Sequence, residues 1–351
     1  MISLDEVKAY LDFVKEVKKD YNVIDMHVHP YEMMLGGIKY IQNSQYEGLY
    51  STNGSKYECP VLSYINEDRE MERKYQTFSS KIIEKTAILS LRRTYHHTGP
   101  KVFYDHMCLS GIDKILLLPV FGPDESDATV MEEMKYMFGN DERFLIGYCV
   151  PNAINNNDIV NNIKYNIDKY NIIAIKIHPN RTAIDISTEN GKDRIEHLLE
   201  ASRDTNLCVI IHSGVSKNSF NGESNLYSKI TDFLDINWNI TKEPVVIAHA
   251  GVYGHNINDI NESIMPNVKK LLNKYDNLLI DIAGLNIESI SVIIKNIDVD
   301  RILFGSDALY YYQWKAIVSL VHSLKNSNRN YEEDFIRIVS KNPEKYIIKN
   351  K

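Results

Sequence analysis

The stretch that decides the fold is Asp25-Met26-His27-Val28-His29-Pro30. Side chains alternate across a β-strand, so His27 and His29 are predicted to share one face with Asp25. Met26 and Val28 are predicted to face the opposite side. The proline that closes the stretch cannot donate to a strand ladder, which suits a strand that ends there. Two imidazoles on one face can bind one metal ion, although a His-x-His pair alone is weak evidence for a site.

Apolar runs of the same kind recur along the chain, and each is followed by a longer amphipathic segment. This alternation is typical of parallel βαβ units. No Gly-x-Gly-x-x-Gly turn follows any run, which disfavours an open doubly wound sheet. We therefore predict an α/β fold of the (β/α)8 TIM-barrel type, with its active site at the carboxyl ends of the strands. The predicted strands are 23–29, 114–121, 144–151, 172–179, 207–214, 244–251, 278–284 and 301–307, and the predicted helices include 4–20, 155–170, 191–205, 260–275, 286–297, 311–325 and 331–348.

The length of 351 residues suits one barrel domain that spans the whole chain, 1–351, and carries an insertion. A long, mostly helical connection of about residues 31–110 separates the first two predicted strands. Because it leaves from the active-site end of the barrel, we predict that it forms a lid over the site.

Composition excludes several classes of partner. A formal net charge of −7 and a pI near 5.9 argue against a nucleic-acid partner. No stretch approaches the ~20 uninterrupted apolar residues of a membrane span, and the N-terminus lacks the apolar run of a signal peptide. We therefore expect a cytoplasmic protein with a small-molecule substrate and no membrane partner. The four cysteines form no zinc knuckle or dithiol motif, and the sequence leaves open whether the chain forms a homo-oligomer.

Histidine or aspartate follows several of the apolar runs at the point where each run ends. His27 and His29 end the first run, His212 the fifth, His249 the sixth and Asp307 the eighth. The strand ends of a barrel converge on one mouth, so these side chains are expected to meet. Imidazole and carboxylate are common metal ligands, and the coincidence at matching strand ends predicts a metal site.

Lys176 shares the parity of His178 on the fourth predicted strand. An isolated ammonium beside a divalent cation is disfavoured by like charge and desolvation. Two arrangements avoid that conflict: a carbamate that bridges two metal ions, or an unmodified amine displaced towards Asp25 or another acid. His178 either joins the inner residues or begins the following loop.

Taken in order, these motifs resemble the amidohydrolase superfamily of metal-dependent TIM-barrel enzymes, in particular its amidohydrolase-related (amidohydrolase 2) branch. The resemblance covers the chain from about residue 22 to the end, except for the insertion. The motifs that carry it are Asp25-x-His27-x-His29, Lys176 with His178-Pro179, His212-Ser213-Gly214, His249-Ala250-Gly251 and Gly305-Ser306-Asp307.

The resemblance implies one or two divalent metal ions, usually zinc, held by His27, His29, His212 and Asp307. It implies that His249 either binds a second ion or supports the site without touching a metal, where it would orient the substrate or stabilise an oxyanion. Asp307 would take up the proton of the attacking water. Asp25 would either support a ligand histidine or bond only to backbone.

The predicted function is a metal-dependent hydrolase that uses an activated water on a C–N or C–O bond of a small molecule. The alternative is a nonoxidative decarboxylase or hydratase of an unsaturated or aromatic carboxylic acid, and a barrel that only binds a ligand is a third possibility. A deoxyribonuclease of the TatD type is disfavoured, because Lys176 stands where that group has a carboxylate.

Several further residues are candidates for substrate binding. They are Arg92, His96 and His97 in the insertion, and His178 and Arg181 after the fourth strand. An arginine there would hold a carboxylate through two hydrogen bonds, although Arg92 is equally well explained as part of a solvated helix end.

Overall fold

The computed structural model describes residues 2–30, 100–122, 128–216, 226–308 and 311–348. Eight parallel strands form one sheet in which each strand pairs with the next one in sequence. Arg92, His96, His97 and most of the predicted insertion lie outside the described residues. The strands are Ile24–Val28 (β1), Lys114–Leu117 (β2), Phe144–Cys149 (β3), Ala174–Ile177 (β4), Cys208–Ile211 (β5), Val245–Ile247 (β6), Leu278–Asp281 (β7) and Ile302–Leu303 (β8).

Backbone hydrogen bonds between β1 and the chain after β8 close the ring. Asp307 N donates to His27 O at 2.9 Å, and His29 N donates to Ala308 O at 2.5 Å. Val28 and Ala308 form an isolated parallel bridge at the same place. The predicted TIM barrel is confirmed, and each strand is shorter than predicted.

Strand residues pack alternately into the barrel interior and against the surrounding helices, as expected for this fold. The outer layer accounts for most of the buried apolar side chains. The inner cluster lies below the polar strand ends and excludes water from their base. It includes Ile24, Met26, Leu116, Ile210, Val246, Leu279 and Leu303.

Strand β1 departs from strict alternation. Its pairing register with β2 shifts between Asp25 and Val28, which is the signature of a β-bulge. Ile24 and Met26 pack in the inner cluster, whereas Val28 belongs to the outer one. The prediction that Met26 faces away from His27, and that Asp25 shares the face of His27, is therefore wrong, because the bulge changes the parity within the strand.

The Asp25 carboxylate ties β1 to the chain after β8. It accepts hydrogen bonds from His27 N (3.2 Å), Ser306 N (2.9 Å), Ser306 Oγ (2.5 Å) and Gln313 Nε2 (2.9 Å). Burial raises the pKa of Asp25 to about 6 although all four donors oppose that shift. Two of these donors are backbone amides and two are side-chain groups, and none is an imidazole nitrogen. Asp25 therefore matches neither of its two predicted roles in full: it bonds no histidine ring, and it bonds side chains as well as backbone.

Helices surround the barrel. The first begins at a capping box, in which Ser3 and Glu6 bond each other's backbone amides. Pro100–Ser110, at the end of the predicted insertion, packs beside Gln313–Lys325. None of the described helices is long and apolar enough to cross a membrane. The α-helices are Leu4–Val17, Pro100–Ser110, Ala128–Phe138, Ile159–Tyr170, Pro179–Thr182, Glu189–Thr205, Ile257–Asp259, Met265–Lys274, Ile287–Asn296, Gln313–Lys325 and Tyr331–Ile336, with π-helical turns at Ile260–Ile264, Arg337–Lys341 and Glu344–Ile348.

Gly305 allows the chain after β8 to lie directly against His27. A Cβ added at Gly305 would stand 2.7 Å from His27 Cβ and 2.9 Å from Ala283 Cβ. We predict that Gly305→Ala displaces His27, lowers the free energy of unfolding by about 1–3 kcal/mol and weakens metal binding, measured by chemical denaturation and metal titration.

Gly191→Ala is the matched control, because an added Cβ there would overlap the carbonyl oxygen of Asp185, next to the helix Glu189–Thr205. It should destabilise the fold but leave the metal affinity of the folded protein unchanged. Wild-type metal affinity in Gly305→Ala would contradict the close packing described here.

Candidate metal centre

The structure brings the predicted polar residues together at the carboxyl ends of the strands. Lys176 belongs to β4. His212 directly follows β5, and His249 lies in the turn Ala248–Gly251 that follows β6. Every member of the cluster is at most 7% exposed. The cluster consists of His27, His29, Lys176, His178, His212, His249, Asp281 and Asp307.

Three acceptor atoms converge at the centre of this cluster. His27 Nε2 lies 3.2 Å from His29 Nε2. Asp307 Oδ1 lies 3.4 Å from His29 Nε2 and 3.8 Å from His27 Nε2. Ligands that bind one ion at about 2.0–2.2 Å stand roughly 3.0–3.6 Å apart. The two separations from His29 Nε2 fall within that range, and the 3.8 Å between His27 Nε2 and Asp307 Oδ1 lies slightly above it. The three residues form a group that could hold one metal ion.

Hydrogen bonds on the far side of each ring fix which nitrogen carries the proton. His27 Nδ1 lies 2.8 Å from Asp281 Oδ2, and His29 Nδ1 lies 2.8 Å from Leu118 O. Both partners are acceptors, so each Nδ1 donates and each Nε2 keeps its lone pair. Burial lowers the pKa of both imidazoles, and for His27 the charge of Lys176 adds to the effect. Two neutral rings therefore point lone pairs at one spot.

The hydrogen bond between His212 and His249 leaves the second ring nitrogen of His212 unprotonated. His249 Nδ1 lies 2.7 Å from Ala283 O and must donate to it, which leaves His249 Nε2 as the acceptor for His212 Nδ1 at 3.2 Å. The remaining nitrogen, His212 Nε2, is buried and has no hydrogen-bond partner within the described ranges. Burial lowers the pKa of His212 well below its usual value. An orphaned imidazole lone pair in the cluster that also holds the three convergent acceptors fits a ligand of a bound cation, although the compact group consists of His27, His29 and Asp307 without His212.

Lys176 lies against the same acceptors. Its Nζ is 2.9 Å from His27 Nε2. Burial lowers the pKa of Lys176 to about 8, while the charges of Asp281 and Asp307 act in the opposite direction. The amine thus stands next to His27 and near two acids, and its carboxylation to a carbamate stays a prediction.

Two of the site residues sit in strained turns. His249 has φ 57° and Asp307 has φ 61°, in the left-handed region that side chains other than glycine rarely adopt. Such strain persists where surrounding bonds enforce it, often at functional sites. Burial raises the pKa of Asp307, but its contact with His29 and the neighbouring imidazoles outweigh that effect and leave the pKa below its usual value.

His178 belongs to the cluster, and Arg181 lies on the short helix that follows it. The ring of His178 stacks on His212 with centroids 4.1 Å apart and planes 6° apart, and its Nδ1 is buried without a partner among the residues described. His178 also begins the short helix Pro179–Thr182, so it is both an inner residue and the start of the loop. Arg181 lies on that helix, and its contact with substrate stays a prediction, as it does for Arg92, His96 and His97.

Sequence reasoning missed Asp281. Its carboxylate accepts hydrogen bonds from His249 N at 2.6 Å, Ala283 N at 3.1 Å and His27 Nδ1 at 2.8 Å. The signal was available, because Asp281 follows three apolar residues at the end of the seventh run, as the other site residues do. Tyr253, whose ring centroid lies 4.7 Å from that of His249, was also missed; nothing in its local sequence marks it.

Solved structures share this architecture. The chain has a TM-score of 0.55 and 13% identity to a protein described as amidohydrolase II, over 93% of this chain and 99% of that one. It has a TM-score of 0.54 and 9% identity to 2,6-dihydroxybenzoate decarboxylase from Rhizobium, over 94% and 100% of the two chains. A 5-carboxyvanillate decarboxylase from Novosphingobium aromaticivorans, solved with bound manganese, gives a TM-score of 0.51 and 13% identity over 93% and 97%. No protein-family model and no curated protein matches the sequence. The similarity to these solved structures, at 9–13% identity, supports the TIM-barrel fold alone.

The inferred ligand set predicts metal content directly. His27→Ala, His212→Ala and Asp307→Ala should each lower bound metal at least about tenfold, because each removes one of the convergent donor atoms. The measurement is elemental analysis of the purified, folded variants. His197→Ala is the control, since His197 lies on the helix Glu189–Thr205 and bonds only to residues outside the cluster. Wild-type metal content in all three site variants would exclude this ligand set.

Proposed function

We propose that the chain is a metal-dependent enzyme of the amidohydrolase superfamily and acts as a hydrolase on a C–N or C–O bond of a small molecule. The observation that carries the proposal is the convergence of His27 Nε2, His29 Nε2 and Asp307 Oδ1, and the orphaned His212 Nε2 of the same buried cluster is the proposed fourth ligand atom. Four donor atoms at the mouth of a TIM barrel match the place where this fold carries out its chemistry.

The donor set favours zinc. Imidazole nitrogen and carboxylate oxygen are typical ligands of Zn²⁺ in proteins. The bound manganese of one structural neighbour makes Mn²⁺ the second candidate. A divalent ion held here would supply Lewis acidity towards a carbonyl oxygen and would acidify a water molecule.

The protein groups around this centre have separate tasks. Asp307 Oδ1 faces the two imidazoles, so we assign proton transfer from the attacking water to the leaving group to the second oxygen, Oδ2. Both ring nitrogens of His249 are engaged, by Ala283 O and by His212. His249 therefore orients His212 in this arrangement, and contact with substrate, as predicted from the sequence, would require its ring to exchange that partner.

The alternative function is a nonoxidative decarboxylase or hydratase of an aromatic or unsaturated acid. Two of the structural neighbours are named as decarboxylases of aromatic acids. Lys176 adds a buried amine beside His27, and its ammonium form would attract an acidic substrate. These two observations favour a carboxylate-bearing substrate for either reaction.

We further expect one domain over residues 1–351, a small-molecule substrate and a cytoplasmic location. Within the predicted insertion of about residues 31–110, Pro100–Ser110 is a helix of the outer layer, so we expect the lid to be formed by the residues before it. The net charge of −7 supports the absence of a nucleic-acid partner.

Isotope labelling separates the two reactions. Lactones, amides and aromatic carboxylic acids are incubated with the metal-loaded protein in ¹⁸O-labelled water, and products are analysed by mass spectrometry. Hydrolysis predicts two cleavage products, one of which carries one ¹⁸O atom, and no carbon dioxide. Decarboxylation predicts carbon dioxide and an organic product without ¹⁸O, and hydration predicts an uncleaved product that has gained one labelled water. Treatment with a chelator should abolish turnover, and added Zn²⁺ or Mn²⁺ should restore it. Turnover that survives complete metal removal would refute the proposal.

A further inference from the structure

We infer that Asp281 is a positioning residue whose carboxylate fixes the tautomer of His27, so that Nε2 of that ring keeps its lone pair for the metal. The inference rests on the metal centre proposed above, and it assigns a role to a strand end that contributes none of the proposed ligands. Strand β7 ends at Asp281, and the side chain is 1% exposed.

The geometry gives each carboxylate oxygen its own task. Asp281 Oδ2 stands 2.8 Å from His27 Nδ1. Oδ1 accepts from the backbone amides of His249 at 2.6 Å and Ala283 at 3.1 Å. Because a carboxylate can only accept, His27 must carry its proton on Nδ1, and the opposite nitrogen faces His29 and Asp307 as a bare acceptor.

The alternative role for Asp281 is that of a metal ligand. Its oxygens lie close enough to His27 and His249 for the three to form a second cation site. However, the His27 nitrogen nearest to Asp281 is the one bonded to it, and both ring nitrogens of His249 already contact Ala283 O and His212. A cation at that place would have to break these bonds, so positioning is the better explanation.

Asp281→Asn separates positioning from a merely structural role. The two amides of His249 and Ala283 hold the Asn carbonyl oxygen where Oδ1 was, so the amide nitrogen must face His27 Nδ1. Two donors cannot face each other there, and His27 is driven to the tautomer with its proton on Nε2. The substitution preserves the shape of the side chain and its contacts with the two backbone amides. It replaces the acceptor that faces His27 Nδ1 with a donor.

The experiment has two readouts. In the metal-free protein, long-range ¹H–¹⁵N correlation spectra should show His27 protonated on Nδ1 in the wild type and on Nε2 in Asp281→Asn. In competition titrations with a chromogenic chelator, Asp281→Asn should bind Zn²⁺ 10–100-fold more weakly than the wild type, about the loss that follows removal of a carboxylate partner of a ligand histidine.

Asp113→Asn is the matched control. Asp113 also accepts a backbone amide, that of Val23 at 2.9 Å, and pairs with Lys18 at the opposite end of the strands. Asp113→Asn should leave both the His27 tautomer and the Zn²⁺ affinity unchanged.

Three results would overturn the inference. They are a wild-type His27 protonated on Nε2, unchanged Zn²⁺ affinity in Asp281→Asn, or a wild type that binds two ions and loses one of them on substitution, which would make Asp281 a ligand. If Asp281→Asn fails to fold, the wild-type spectrum alone decides the tautomer. A wild type that binds no Zn²⁺ would refute the proposed function, while the spectrum of the metal-free protein would still test the role of Asp281.

Discussion

The constraint on which the site depends is the meeting of acceptor lone pairs in a buried space. Neutral His27 and His29 direct their Nε2 atoms at each other and at Asp307, and burial opposes protonation of both rings. Acceptors that face each other away from water are costly unless a cation or a proton donor lies between them. The amine of Lys176 can donate a hydrogen bond to His27 Nε2, whereas a divalent ion would bind all of these acceptor atoms. The strained turns at His249 and Asp307 are explained as the geometry that keeps these atoms converged.

The barrel holds this arrangement through its closing seam. Asp307 N bonds to His27 O, so the first and last strands, which carry three of the four proposed ligands, are fixed to each other by backbone. Asp25 reinforces the seam with hydrogen bonds to Ser306 and to the helix that follows it. Asp281 provides a second connection, between β1 and the turn that carries His249. The ligand geometry is therefore a property of the closed barrel more than of any single loop.

Much of this was predictable from sequence because strand ends in a barrel converge by topology. The period of the apolar runs revealed eight strands, and the polar residue after each run identified His27, His29, His212, His249 and Asp307. The bulge in β1 was not predictable, since the register shift between Asp25 and Val28 depends on pairing with β2, and it reversed the expected faces of Asp25 and Met26. Asp281 was missed although it follows the same pattern, because an aspartate that bonds to protein atoms resembles an ordinary strand end. Arg92 belongs to the stretch 31–99, which lies outside the described residues, so its predicted role stays a prediction.

The most direct test of the account is a crystal structure of the Zn²⁺-loaded protein with data collected on both sides of the zinc absorption edge. The account predicts one anomalous peak at the barrel mouth, within about 2.0–2.2 Å of His27 Nε2, His29 Nε2 and an oxygen of Asp307, with His212 Nε2 as the fourth protein ligand. It also predicts that His27 Nδ1 still bonds to Asp281. An anomalous peak bound through Asp281 and His249, or no peak at the barrel mouth in fully loaded protein, would contradict it.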